Sequence, residues 1–115
     1  MKTIFERIPS CPHGSIKDVD AFFISSLMRL EAHLGRELVY NSGFRCPDCN
    51  AKAAGAVHSA HLRGLAVDIK CDSSRLRFSI TQAAYDLGFR RVGKGKTFIH
   101  LDVDTSLDQD VEWMY

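Results

Sequence analysis

The chain has 115 residues, 45% hydrophobic and 25% charged, with a formal net charge of +1. This predicts a single domain over residues 1–115 that can bury its own core without disulfides. A near-neutral chain with scattered Lys and Arg carries no footprint for nucleic acid. No stretch approaches the ~20 apolar residues of a membrane span, so membrane insertion is not expected.

Residues 1 to 14 contain Pro9, Pro12 and Gly14 and predict an irregular lead-in. They hold no apolar run of signal-peptide length, so cytoplasmic synthesis is expected, and action elsewhere would need a separate release. Ser15 with Asp18 resembles a capping box. Apolar residues at Ile16, Val19, Phe23, Leu27, Leu30 and Leu34 then predict a helix over about 16–34, with Gly35 as its stop. Leu38 to Phe44 reads as a strand leading to Arg45. Pro47 can open a short helix, which Gly55 could close.

Residues 55 to 64 read as a loop, and Leu65 to Lys70 as a strand. On that strand Leu65, Val67 and Ile69 share one face, while Ala66, Asp68 and Lys70 share the other. Asp72, Ser73 and Ser74 can cap a third helix that runs to about Leu87 and stops at Gly88. Phe89 to Val92 suggests a short strand, and Gly93 to Lys96 a turn. Phe98 to Val103 alternates, with Ile99, Leu101 and Val103 opposite Phe98, His100 and Asp102. The tail from Asp104 yields no element. The expected architecture is α+β: a small antiparallel sheet carrying the site, with helices on its other face.

His61 and Asp68 lie seven positions apart around Gly64, and His100 sits on a separate strand-like stretch. Imidazole and carboxylate are good zinc ligands. Three of them leave one coordination position for water, the arrangement of a catalytic rather than a structural ion. Bound zinc lowers the pKa of that water and polarises a carbonyl.

The run Ser59-x-His61-x-x-Gly64-x-Ala66-x-Asp68-Ile69, followed by His100-x-Asp102, resembles the D-alanyl-D-alanine carboxypeptidase-like zinc peptidases, which share a fold with the hedgehog signalling domain. Ser42-Gly43-Phe44-Arg45 with Asn50, and Gly88-Phe89-x-x-Val92-Gly93, extend the resemblance over about residues 38–104. It implies Zn2+ on His61, Asp68 and His100, with Arg45 binding substrate. It also implies action on peptidoglycan stem peptides, as carboxypeptidase or endopeptidase, in the manner of phage endolysins. Relatives often carry an acid three residues before the last histidine, where this chain has Thr97. Asp102, on the face of His100, is then the first candidate proton acceptor or orienting group, and His58 the second. Ser59 is expected to brace the loop on the substrate side.

Two other classes fit the same residues. The fold can hold zinc and work only by binding partners. Cys46-Pro47-Asp48-Cys49 suggests a thiol redox site, although no proline follows it to play the cis-proline role. The same cysteines could instead join Cys11 and His13 around a structural zinc, and Cys71 could approach them. Which peptide bond is cut and the oligomeric state are not legible in the sequence.

Overall fold

The computed structural model describes residues 2–13, 19–53, 55–56 and 58–115. After a short helix α1 (Ile4–Arg7), the main scaffold helix is α2 (Ala21–Leu34). Its apolar spacing buries Phe23, Ile24, Leu27 and Leu30. The capping box expected at Ser15 and Asp18 lies outside the described residues. The described helix begins later than the spacing suggested because Asp20 is its cap, accepting the Phe23 N–H at 2.9 Å. Gly35 closes it at φ 69°, a left-handed conformation that favours glycine.

The sheet contains β1 (Tyr40–Ser42), β2 (Ala66–Lys70), β3 (Arg91–Lys94), β4 (Phe98–Asp102) and β5 (Val111–Met114), in the order β1-β2-β4-β3-β5. Between β1 and β2 lie α3 (Pro47–Lys52) and a 3-10 turn (Ala60–Arg63), and α4 (Ser74–Asp86) separates β2 from β3. The sheet is antiparallel from β1 through β3, as expected. It is mixed overall, because β5 runs parallel to β3. That strand comes from the tail that yielded no element. Two side-chain carboxylates shape the turn leading to it: Asp104 accepts the Ser106 N–H, and Asp110, at φ 60°, is clamped by Arg90 at 2.6 and 2.7 Å.

Alternation along β2 and β4 divides the molecule. Val67, Ile69, Ile99 and Leu101 point to a core completed by α2 and by Ile80, Ala83 and Ala84 of α4. Asp68, His100 and Asp102 point to the opposite face. The register sets Asp68 across from His100, and Ala66 across from Asp102. Ala66 shares that face and presents only a methyl group beside Asp102.

A polar cluster fastens the lead-in to the sheet. Arg7 grips Glu31 at 2.6 and 3.0 Å, and the same carboxylate accepts from the Leu38 N–H and the Tyr40 hydroxyl. Burial opposes the charge on Glu31, but the Arg7, Leu38 and Tyr40 donors outweigh it and hold the carboxyl below its ordinary range. Glu31→Ala would leave the Leu38 N–H and the Tyr40 hydroxyl without their acceptor, and the Arg7 guanidinium with the Leu38 carbonyl and the more distant Glu37 carboxylate. The expected loss is about 3 kcal/mol in urea unfolding, as for breaking a buried pair. Because the folded-state pKa is depressed, the stabilisation is present above the unfolded value of about 4.3 and fades as pH falls through the folded one. The stability gap between wild type and Glu31→Gln should therefore narrow below about pH 4.

Candidate metal centre

His61 is held by the 3-10 turn. Ser59 caps that turn, its Oγ accepting the His61 N–H at 3.2 Å, and Gly64 ends it at φ 68°. The carbonyl of His61 accepts the Arg45 N–H at 3.1 Å, so the turn and the Arg45 segment hold each other. His61 Nδ1 lies 2.7 Å from the Gly43 carbonyl. A carbonyl can only accept, so Nδ1 carries the proton and Nε2 presents a lone pair. That lone pair faces Asp68 Oδ1 at 3.3 Å.

His100 is arranged in the same way. Its Nε2 donates to Asp102 Oδ2 at 2.7 Å, which leaves Nδ1 turned toward the same Asp68 Oδ1, at 3.1 Å. Asp68 Oδ2 accepts the Ser42 hydroxyl at 2.8 Å. Two ring nitrogens and one carboxylate oxygen thus converge, all within 4.8 Å of one another. Acceptors aimed at each other need a cation between them, a proton or a metal ion. Outer donors and acceptors that fix each ring and carboxylate are the usual surroundings of a metal site. The donor set therefore fits a borderline-soft divalent ion.

The electrostatics point the same way. Burial disfavours charge on Asp68, but the His100 and His61 imidazoles, which bring a proton into the gap when no metal ion fills it, outweigh it and hold the carboxyl far below its usual range. Burial likewise works against an imidazolium at His100, and Asp102 and Asp68 more than offset it, raising the pKa above the ordinary histidine value.

Asp102 is only 1% exposed and both its oxygens are engaged. Oδ2 holds His100, while Oδ1 accepts from Arg91 Nε at 2.7 Å and from the Asp104 N–H at 3.2 Å. Thr97 is exposed and does not line the cleft in front of the site. That cleft, of about 560 Å³, is lined by Arg45, His58 and Ser59 together with Arg91, Trp113 and Tyr115. His58 is exposed at its rim. Arg45 Nε is buried with no partner among the described residues.

Several members of the site escaped sequence reasoning. Ser42 and the Gly43 carbonyl belong to the Ser-Gly-Phe-Arg run, but no spacing rule tied them to Asp68 and His61. Arg91, Trp113 and Tyr115 reach the site only through strand order. Gly93 lies opposite both His100 and Trp113, and a Cβ there would fall 2.6–2.8 Å from the indole. Its bare backbone lets Trp113 lie 5.3 Å from the His100 ring, beneath the Arg91 guanidinium. The signal was the alternation of Val111, Trp113 and Tyr115, which is too short to stand out after a turn-rich segment. Cys71 does not approach the other cysteines, because it is buried in the core at the end of β2 with Sγ near the Ser73 carbonyl.

Three donors able to hold a metal ion, open to a cleft with an arginine in its wall, match the form of a metallohydrolase. The chain belongs to the family described as Peptidase M15, whose profile matches residues 10–102. No curated protein matches it. The family is one of peptidases, which implies a peptide substrate. No helix among the described residues is long and apolar enough to cross a membrane.

Proposed function

We propose that this protein is a zinc peptidase that hydrolyses peptide bonds in peptidoglycan stem peptides, as a D,D-carboxypeptidase or an endopeptidase. The observation that carries this reading is the convergence of His61 Nε2, Asp68 Oδ1 and His100 Nδ1 at a cleft that also presents Arg45. His61, Asp68 and His100 would hold the ion, and zinc bound there supplies an activated water and a polarised carbonyl.

The chain's own residues do the rest. Gly43 and Asp102 fix the two imidazoles so that each offers its lone pair inward, and Ser42 steadies Asp68. Asp102, already bonded to His100, Arg91 and the Asp104 N–H, is in this reading a positioning residue. His58, whose imidazole can carry a proton, then takes that role at the open rim of the cleft. The Arg45 guanidinium fork matches a peptide carboxylate or the oxygen of the scissile carbonyl. Ser59 contributes by bracing the His61 turn at the substrate side. Action at the cell wall after release from the cytoplasm, as in phage lysis, completes the proposal.

Arg45→Ala should retain zinc and lower kcat/KM by about 10²–10³-fold, as when a donor to developing negative charge is removed. Metal analysis beside steady-state kinetics checks both halves. The reading as a whole is tested by digesting purified peptidoglycan with zinc-loaded protein and analysing the fragments by mass. New free amino groups are expected, and their position names the bond. Intact peptidoglycan and intact D-alanine-ended peptides, with zinc fully loaded, would replace the enzyme by a zinc-dependent binding module.

A further inference from the structure

Outside the cleft, the structure gathers a second set of ligand-type side chains. Cys11 and His13 come from the lead-in after α1, and Cys46 and Cys49 from the start of α3. They lie 33 to 38 positions apart in the chain, yet their donor atoms all fall within 4.8 Å of one another. We propose that Cys11, His13, Cys46 and Cys49 form a structural zinc site, distinct from the His61–Asp68–His100 centre and independent of the peptidase reading.

The geometry suits a tetrahedral ion. His13 Nδ1 lies 3.6 Å from Cys46 Sγ and 3.5 Å from Cys49 Sγ. Zinc–sulfur bonds of about 2.3 Å and zinc–nitrogen bonds of about 2.0–2.1 Å at tetrahedral angles place these atoms about 3.5 Å apart. The Cys46 N–H points to Cys11 Sγ at 3.3 Å, and the Cys49 N–H to Cys46 Sγ at 3.5 Å. Backbone donors of this kind stabilise a metal-bound thiolate. Cys46-x-x-Cys49 is the usual spacing of one half of such a site, and Cys11-x-His13 supplies the other.

Three sulfurs and one imidazole are soft donors that select zinc over magnesium or calcium. Four protein ligands leave no open position, so the ion holds structure and does no chemistry. A Cys46–Cys49 disulfide would instead leave Cys11 and His13 with nothing to bind.

The position gives the site its purpose. Cys46 directly follows Arg45, and the Cys11 N–H donates to the Phe44 carbonyl at 3.1 Å. Arg45 lines both the main cleft and a shallower one bordered by Cys11 and Cys49. A zinc ion here would pin the lead-in to α3 and stiffen the backbone that presents Arg45 to substrate. Because its binding energy is also folding energy, it would stabilise this edge of the domain.

The test counts metal and reports its ligands. Protein purified under reducing conditions with zinc should carry two equivalents by elemental analysis. The double variant Cys46→Ser, Cys49→Ser should carry one, and so should the double variant His61→Ala, His100→Ala. Replacing zinc with cobalt(II) should give a strong near-ultraviolet thiolate-to-cobalt charge-transfer band in wild type and in the histidine variant, but not in the cysteine variant. His13→Cys, which preserves a four-ligand set, should keep the second equivalent and strengthen that band, separating loss of the site from loss of the fold. A cobalt-loaded wild type with reduced thiols and no thiolate band would overturn the proposal. So would an unchanged zinc count in the cysteine variant, or a Cys46–Cys49 disulfide in freshly purified protein.

Discussion

Replacing His61, Asp68 or His100 by alanine should abolish peptidase activity, because each supplies one of three donors to the proposed zinc. Losing one donor leaves two ligands around a buried polar gap, too few for a catalytic ion. Activity should fall by more than about 10⁴-fold, since peptidases accelerate a reaction whose uncatalysed rate is negligible. Elemental analysis should show the loss of one zinc equivalent in step with activity. His61→Ala and His100→Ala should still fold, because His100 lies on the polar face of β4 and His61 on the 3-10 turn, both outside the apolar core of Val67, Ile69, Ile99 and Leu101. Circular dichroism and urea unfolding check this. A variant that keeps its zinc and its turnover would remove that residue from the ligand set.

The second large effect is expected at Asp102, where two roles predict different results. As a positioning residue, Asp102 holds the His100 Nε2–H and fixes which ring nitrogen faces Asp68. Asp102→Asn should then weaken zinc binding by about 10–100-fold, the usual cost of losing such an outer partner. Turnover should recover when zinc is raised to saturation. As the proton acceptor, Asp102 would give the opposite pattern: tight zinc and turnover lost at every zinc concentration. Titrating activity against free zinc separates the two. Asp102→Ala should also cost about 3 kcal/mol of stability, because it strips the buried partner from Arg91. His58→Ala completes the comparison, with full zinc and reduced turnover expected if that imidazole carries the proton.

Much of the site could be read locally. The period of two along Ala66–Lys70 and Phe98–Asp102 placed Asp68, His100 and Asp102 on the face away from the apolar one, and the structure keeps them there. The helix stop at Gly35 and the start at Pro47 were equally local. The strand expected over Leu38–Phe44 shortens to Tyr40–Ser42, where pairing with β2 shifts register between Tyr40 and Ser42. The strand expected at Phe89–Val92 moves to Arg91–Lys94. Gly93 and Lys94 look like turn residues by type, but β4 and β5 flank them on both sides and extend the ladder. Pairing partners outweighed residue preference there, as is common in sheets.

By itself, the sequence determined which side chains could ligate a metal, and that β2 and β4 would present Asp68 and His100 on one face. Both follow from side-chain chemistry and from the two-residue repeat of a strand, which need no distant partner. Only the tertiary structure decided three other things. It set Arg91 against Asp102, it laid Trp113 over Gly93, and it brought Cys11 and His13 to Cys46 and Cys49. Each depends on which strand lies beside which, or on where the lead-in returns. Those contacts join residues that lie on different segments of the chain, and burial of the whole core, rather than any local spacing, holds them together.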